Sequence, residues 1–170
     1  MQRLILMRHG KAERGPVGGE DVQRHLTERG VADARLMGKA LADEGLAPDL
    51  ALVSASARTQ ETWIAAAQSF PDARVQVRRS LYLASAGHLH AAVEQAGAPD
   101  ETLMIVGHNP GLHELALRLL REGGAPPSVM AKIGGGFPTA TAIAFTVDAA
   151  GRRHYDGVFY AKDHGGGGGE

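Results

Sequence analysis

Three short apolar runs of the sequence each pass directly into residues that can bind or attack a phosphoryl group. These are LILM at 4–7 before Arg8 and His9, LALV at 50–53 before a stretch ending in Arg58, and TLMIV at 102–106 before His108 and Asn109. The guanidinium group of arginine matches two phosphate oxygens at once, and imidazole can donate a hydrogen bond or act as a nucleophile. The residue types after these runs therefore indicate a site for a phosphoryl group.

The elements around these runs predict a sheet that brings all three ends together. Strands are predicted at 4–7, 50–53, 75–77, 102–106, 139–147 and 153–160, and helices at 27–44, within 54–70, at 88–96 and at 110–121. Alternating strands and helices are typical of a mostly parallel sheet with helices on both faces, and the carboxyl ends of parallel strands open on one edge, where ligands bind. We therefore predict a three-layer α/β/α fold with a mostly parallel central sheet and one C-terminal antiparallel hairpin.

The third strand end also carries a predicted helix start. Asn109 is predicted to cap the following helix and Pro110 to be its first residue, because both residue types favour those positions. His108 would then lie beside a helix N-terminus, whose free N–H groups attract anions. We therefore predict that Asn109 belongs to the phosphate-binding residues.

Composition and charge limit the class of protein. The chain has 170 residues, of which 44% are hydrophobic, and this suits a single domain, predicted over 1–163, with a flexible Gly-rich tail at 164–170. The run GGGF at 134–137 is predicted to be a flexible connection. A net charge of −1 and the lack of cysteine argue against nucleic acid or membrane partners and against thiol chemistry. The apolar runs are too short for a membrane span and the first residues lack signal-peptide features, so we expect a cytoplasmic protein. The pattern shows no exposed apolar heptad or long free edge strand, so we expect a monomer.

Three motifs in order resemble those of a known family. RHG at 8–10, SASARTQET at 54–62 and VGHNP at 106–110 resemble the histidine phosphatase superfamily, whose fold is that of the phosphoglycerate mutases. The short chain, DVQRHLTERG at 21–30 and GHNPGL at 107–112 are similar to the SixA-type phosphohistidine phosphatases. The resemblance covers nearly the whole chain and implies a phosphoglycerate mutase-like fold.

The resemblance also implies roles for individual residues. His9 would be the nucleophile that forms a phosphohistidine intermediate, with its other ring nitrogen held by a nearby backbone carbonyl. Arg8, Arg58 and His108 match the family's phosphate pocket and would stabilise the charge during transfer. Arg24, in the family-like D-x-x-R-x-L-T pattern, would be a further phosphate ligand, although a simple surface arginine explains it nearly as well.

No metal or cofactor is expected for this chemistry. His88 and His90 form an H-x-H pair, but without a carboxylate or a third histidine nearby they are better explained by a solvated helix end. Ser54 and Ser56 lack the surroundings of a nucleophilic serine and are predicted to be turn and cap residues.

One residue type is missing where esterases of this superfamily commonly carry it. No Asp or Glu lies between Asp72 and Glu94, where a carboxylic acid would protonate a leaving alkoxide. Imidazole is a less basic leaving group than an alkoxide and depends less on protonation by an acid, so the missing carboxylic acid favours a phosphoramidate substrate. Glu13 or Asp21 could still reach the site from elsewhere in the chain. We therefore expect a phosphatase for phosphohistidine on a protein. The alternatives are a phosphomonoesterase for a small metabolite or sugar phosphate, and a non-catalytic module that binds phosphate or phosphohistidine.

Overall fold

A six-stranded sheet forms the centre of the protein, for which the computed structural model describes residues 1–167. Its strands are β1 (Arg3–Arg8), β2 (Leu50–Ser54), β3 (Arg74–Arg78), β4 (Thr102–Gly107), β5 (Ala142–Val147) and β6 (Arg153–Phe159). They lie in the order β3-β2-β4-β1-β5-β6. The first four strands pair in parallel, and β5 and β6 form an antiparallel hairpin beside β1. The prediction of a mostly parallel sheet with a C-terminal hairpin is confirmed.

Helices cover both faces of this sheet. They are α1 (Glu28–Asp43), α2 (Ala57–Ala66), α3 (Ala86–Gln95), α4 (Gly111–Glu122) and α5 (Pro127–Gly134). Successive residues of a strand point to opposite faces, so Leu4 and Leu6 pack with α3 and α4 while Ile5 and Met7 pack with α1 and α2. Because β1 is buried on both faces, its sequence is a continuous apolar run, as expected for a central parallel strand.

The start of α4 differs from the prediction by one residue. Its cap position is Pro110, which makes no side-chain cap, and its first helical residue is Gly111. The expectation that Asn109 caps this helix was wrong: the helix begins one residue later than predicted, and the Asn109 amide is oriented by its bond from Nδ2 to the Phe137 carbonyl at 2.9 Å. By contrast, Thr27 caps α1 as predicted, with its hydroxyl accepting from the Gly30 N–H.

The helix α5 was not predicted. Pro126 precedes it, and Pro127 is its first residue, where a missing N–H costs nothing. Three glycines at 134–136 obscured it, because they were interpreted together with Phe137 as a loose connection. In the structure Gly134 ends the helix and Phe137 is 2% exposed, so that expectation was wrong for this packed segment.

The predicted tail at 164–170 is only partly within the described residues. His164 closes a short 3₁₀ turn, Gly166 donates to the Ala161 carbonyl at 2.9 Å, and Gly167 donates to the Asp33 carboxylate on α1 at 2.9 Å. Residues 164–167 therefore pack against the helical layer, while 168–170 lie outside the described residues. No helix described within residues 1–167 is both long and apolar enough to cross a membrane.

A close contact between α1 and α2 gives a test of the packing. A Cβ added to Gly38 would lie 2.3 Å from the Ala66 carbonyl oxygen, whereas a Cβ added to Gly87 on α3 meets no atom within 4 Å. We expect Gly38→Ala to lower the free energy of unfolding by about 1–3 kcal/mol, because the two helices must move apart. The matched Gly87→Ala should raise it by up to about 1 kcal/mol, since alanine is the better helix former. Urea unfolding of both variants measures this, and equal effects would contradict the packing.

Candidate active site

A cavity of about 380 Å³ opens at the carboxyl edge of the parallel strands. Its lining includes all six residues predicted from the sequence to bind or react with phosphate, namely Arg8, His9, Arg24, Arg58, His108 and Asn109. Lys11, Ala12, Asp21, Leu83 and Thr139 complete the lining. The sheet topology explains this convergence, because β1, β2 and β4 are parallel neighbours whose carboxyl ends meet at one edge.

His9 lies at the end of β1 and is 7% exposed. Its Nδ1 lies 2.7 Å from the Gly10 carbonyl oxygen, and because a carbonyl can only accept, Nδ1 carries the proton. Burial lowers the pKa of His9 to about 4, and the positive charges of Arg8 and Arg58 act in the same direction, partly offset by the hydrogen bond to Gly10. His9 is therefore neutral at pH 7, with the lone pair on Nε2.

Two glycines fix the backbone that carries His9. A Cβ on Gly10 would lie 2.6 Å from the Gly30 carbonyl oxygen, and one on Gly30 would lie 2.1 Å from that of Lys11. The Gly10 N–H also donates to the Thr62 hydroxyl on α2 at 2.9 Å. The loop after β1 is thus held between α1 and α2, and any side chain at either glycine would force it away.

Arg58 reaches the cavity from the first turn of α2 and is 2% exposed. Its Nη1 donates to the Asp21 carbonyl at 2.9 Å, and its Nη2 lies 3.1 Å from the Asp21 carboxylate. The Ser56 hydroxyl caps α2 by accepting from the Thr59 N–H, as predicted. The cap and the two bonds to Asp21 hold the buried guanidinium group in place.

His108 follows β4, and its ring centroid lies 5.5 Å from that of His9. Burial and, to a lesser extent, the charge of Arg58 lower the pKa of His108 to about 3. Arg58 Nη2 approaches Nδ1 at 3.3 Å, and the Ser54 hydroxyl lies 2.7 Å from Nε2. Since a guanidinium group only donates, this arrangement puts the His108 proton on Nε2, where the Ser54 oxygen accepts it.

One backbone carbonyl orients two cavity residues. The Phe137 oxygen accepts from Arg8 Nη1 at 3.1 Å and from Asn109 Nδ2 at 2.9 Å. Sequence reasoning missed this contribution of Phe137, because α5, which delivers it, was not predicted and a carbonyl has no residue signature.

The loop between β1 and α1 brings an ion-paired cluster to the cavity. Arg24 donates from Nε to the Asp21 carboxylate and from Nη1 to the Glu13 carbonyl, each at 2.9 Å. The Tyr82 hydroxyl donates to the same carboxylate, and this bond lowers the pKa of Asp21 to about 2 together with the charges of Arg24 and Arg58. Arg24 is therefore a cavity residue, and Asp21 is ionised at neutral pH. The sequence offered Asp21 as one residue that could reach the site, but nothing in it indicated Tyr82.

The cavity has the character of an anion site. Three guanidinium groups and Lys11 face a single carboxylate in its lining. Within residues 1–167, no group of three His, Asp or Glu side chains is arranged to hold a metal ion. Of the H-x-H pair, His88 is exposed and His90 lies 3.5 Å from Glu94.

Comparison with known proteins places these observations in a family. Residues 4–96 match the histidine phosphatase superfamily (branch 1). An uncharacterised protein of Mycobacterium tuberculosis is 33% identical over 134 residues, which cover 79% of this chain and 82% of that protein.

Two solved structures share nearly the whole fold. A candidate phosphohistidine phosphatase SixA from Agrobacterium tumefaciens superposes with a TM-score of 0.81 at 25% identity, covering 93% of this chain and 97% of that one. A second candidate SixA, from Nakamurella multipartitia, superposes with a TM-score of 0.81 at 27% identity, covering 94% and 95%. With the motifs now assembled around one cavity, the chain belongs to the histidine phosphatase superfamily and is similar to its SixA-type branch.

Proposed function

We propose that this phosphatase removes the phosphoryl group from phosphohistidine on a protein and carries it transiently on His9. The observation that supports the proposal most strongly is the state of His9. A buried imidazole with a pKa of about 4 is neutral, and the Gly10 carbonyl holds its proton on Nδ1. The remaining lone pair on Nε2 is then a nucleophile beside three guanidinium groups.

The proposed reaction has two steps. In the first, His9 Nε2 forms a bond to phosphorus while the bond from phosphorus to the substrate nitrogen breaks, and the electron pair stays on that nitrogen. The substrate ring reacts in its imidazolium form, with a proton taken from solvent on its second nitrogen, so the returning electron pair makes the leaving imidazole neutral. In the second step water attacks phosphorus, which releases phosphate and restores His9. Arg8 and Arg58 would balance the charge of the phosphoryl oxygens in both steps.

His108 and its partner can adapt to a bound phosphoryl group. The Ser54 hydroxyl both donates and accepts, so it can donate to His108 Nε2 when the His108 proton moves to Nδ1. In that tautomer Nδ1 would donate to a phosphoryl oxygen. We assign Arg24 and Asn109, which share the cavity lining, to the binding of the same oxygens, with Asn109 Nδ2 already bonded to the Phe137 carbonyl.

The carboxylate in the cavity supports a nitrogen rather than an oxygen leaving group. Asp21, with a pKa of about 2, has no proton to give at neutral pH. The conjugate acid of imidazole has a pKa of about 6.5, whereas the conjugate acid of an alkoxide has a far higher pKa. Departure of imidazole therefore proceeds without the general acid on which an alkyl ester depends. The similarity to two candidate SixA proteins supports the same substrate class.

The first test compares phosphoramidate, a phosphohistidyl peptide and glycerol phosphate as substrates, each with and without a chelator. We expect the two substrates with a P–N bond to be hydrolysed and the alkyl ester to be nearly inert. His9→Ala should lower turnover by roughly 10³-fold or more, because the nucleophile is lost. His154→Ala is the matched control, since His154 pairs with Asp148 on the terminal hairpin.

Three outcomes of that comparison would contradict the proposal. Efficient hydrolysis of glycerol phosphate would identify a phosphomonoesterase with a proton donor other than Asp21. Unchanged turnover in His9→Ala would remove His9 from the mechanism, and loss of turnover on chelation would show that a metal takes part.

The protonation states can be measured directly by NMR titration of the imidazole nitrogens. We expect His9 to stay neutral, protonated only on Nδ1, as the pH falls through 6.5, and to gain its second proton only near pH 4. His25 is the internal contrast, because its hydrogen bond to Glu61 raises its pKa above 6.5. A His9 that titrates together with His25 would be inconsistent with a neutral nucleophile.

The role of Asp21 can be separated by leaving-group dependence. A series of aryl phosphates with rising leaving-group pKa gives a slope for log kcat/KM. We expect Asp21→Asn to leave this slope unchanged, because an ionised carboxylate does not protonate the leaving group. A steeper slope in the variant would show that Asp21 is the acid, which is typically worth about 10²–10⁴-fold on a poor leaving group.

A further inference from the structure

Leu83 is an exposed apolar residue in the lining of the charged cavity. It lines the cavity together with His9 and His108, and it is 53% exposed. A leucine that is half in solvent gains little from packing, so burial does not account for its place in the turn before α3.

The backbone of Leu83 is also unfavourable for a leucine. Its φ angle is +49°, in the left-handed region that glycine enters freely and leucine does not. Both flanks fix this conformation. On one side, Leu81 is buried in the core. On the other, the Ala84 carbonyl oxygen packs directly on Gly111, since a Cβ added there would lie only 2.0 Å from it. Strained residues of this kind occur where the side chain has a use that outweighs the strain.

The direction in which the leaving group departs indicates a role for the Leu83 side chain. His9 is 7% exposed, whereas Leu83, in the same cavity lining, is 53% exposed. An in-line displacement by His9 sends the leaving group away from this buried side chain, toward the more exposed part of the lining, to which Leu83 belongs. The arginines bind the phosphoryl oxygens, and the neighbouring Tyr82 hydroxyl is committed to Asp21. The isobutyl group of Leu83 then offers an apolar surface to the departing leaving group.

We propose that Leu83 determines specificity by packing against the organic part of the substrate, which is the imidazole ring if the proposed function holds. It is a residue for the leaving group and makes no contact with the phosphoryl oxygens. A substrate without an organic part, such as phosphoramidate, gains nothing from it.

The test measures the ratio of kcat/KM on a phosphohistidyl peptide to kcat/KM on phosphoramidate. We expect Leu83→Ala to lower this ratio roughly tenfold, in line with the loss of a few apolar carbons at a binding pocket. Leu83→Met should restore it, because methionine keeps the apolar volume. Leu83→Gly should show the same loss with a Tm no lower than that of Leu83→Ala, since glycine accepts the φ angle. Ile64→Ala, at an exposed apolar site on α2 outside the cavity lining, is the matched control.

Each result decides the proposal. An unchanged ratio in Leu83→Ala, or an equal loss on both substrates, would overturn it in favour of an incidental or purely structural leucine. If the wild type does not hydrolyse the peptide, the proposed function fails by itself. The same ratio is then taken with p-nitrophenyl phosphate, whose aryl group also presents an organic part, and an unchanged ratio there overturns the role of Leu83.

Discussion

The hydrogen bond from His9 Nδ1 to the Gly10 carbonyl is the interaction on which the rest of the site depends. Burial alone makes an imidazole neutral but leaves its proton free to sit on either nitrogen. The carbonyl at 2.7 Å selects Nδ1 and so leaves the Nε2 lone pair available. That carbonyl is itself fixed, because Gly10 packs directly on Gly30 at the start of α1. The tautomer of His9 therefore depends on how closely α1 approaches the end of β1.

The charges around His9 link substrate binding to reactivity. After burial, the positive charges of Arg8, Arg58 and Arg24 are what lower its pKa. A phosphoryl group between the same guanidinium groups compensates those charges and removes part of that effect. Under the proposed function, His9 then becomes a stronger base, and hence a better nucleophile, when its substrate is in place. Asp21 compensates the charges of Arg24 and Arg58 less than a bound phosphoryl group would. Its single charge is shared between the two arginines, and its side chain is about half exposed.

The sequence predicted those parts of the site that follow from strand ends. Arg8, His9, Arg58 and His108 come after buried apolar runs, and one rule about parallel sheets brings them together. The contributions of other elements depend on tertiary contacts without such a pattern. The Phe137 carbonyl was missed because a backbone oxygen is the same in every residue, and glycines hid the helix before it.

The loop that holds Arg24 shows the same limit. Its path is set by a bridge between Ala12 and Leu26 and by ion pairs with Asp21, none of which repeats with a helix or strand period. The residue could be named from a motif, but its neighbours could not. Asn109 failed as a cap because the helix begins one residue later than predicted, and a carbonyl far away in sequence orients its side chain.

The ionised state of Asp21 bears on how such an enzyme would choose its substrate under the proposed function. A cell contains many alkyl phosphates with the same phosphoryl group, so the arginines cannot distinguish them from phosphohistidine. A general acid would speed up every one of those esters by about 10²–10⁴-fold. A cavity whose carboxylate is held ionised by Tyr82, Arg24 and Arg58 gives esters no such help. The transfer from one imidazole to another needs none, because donor and acceptor nitrogens are chemically alike. The basicity of the leaving group then separates phosphohistidine from alkyl esters, and the proposed contact of Leu83 adds specificity for the organic part of the substrate.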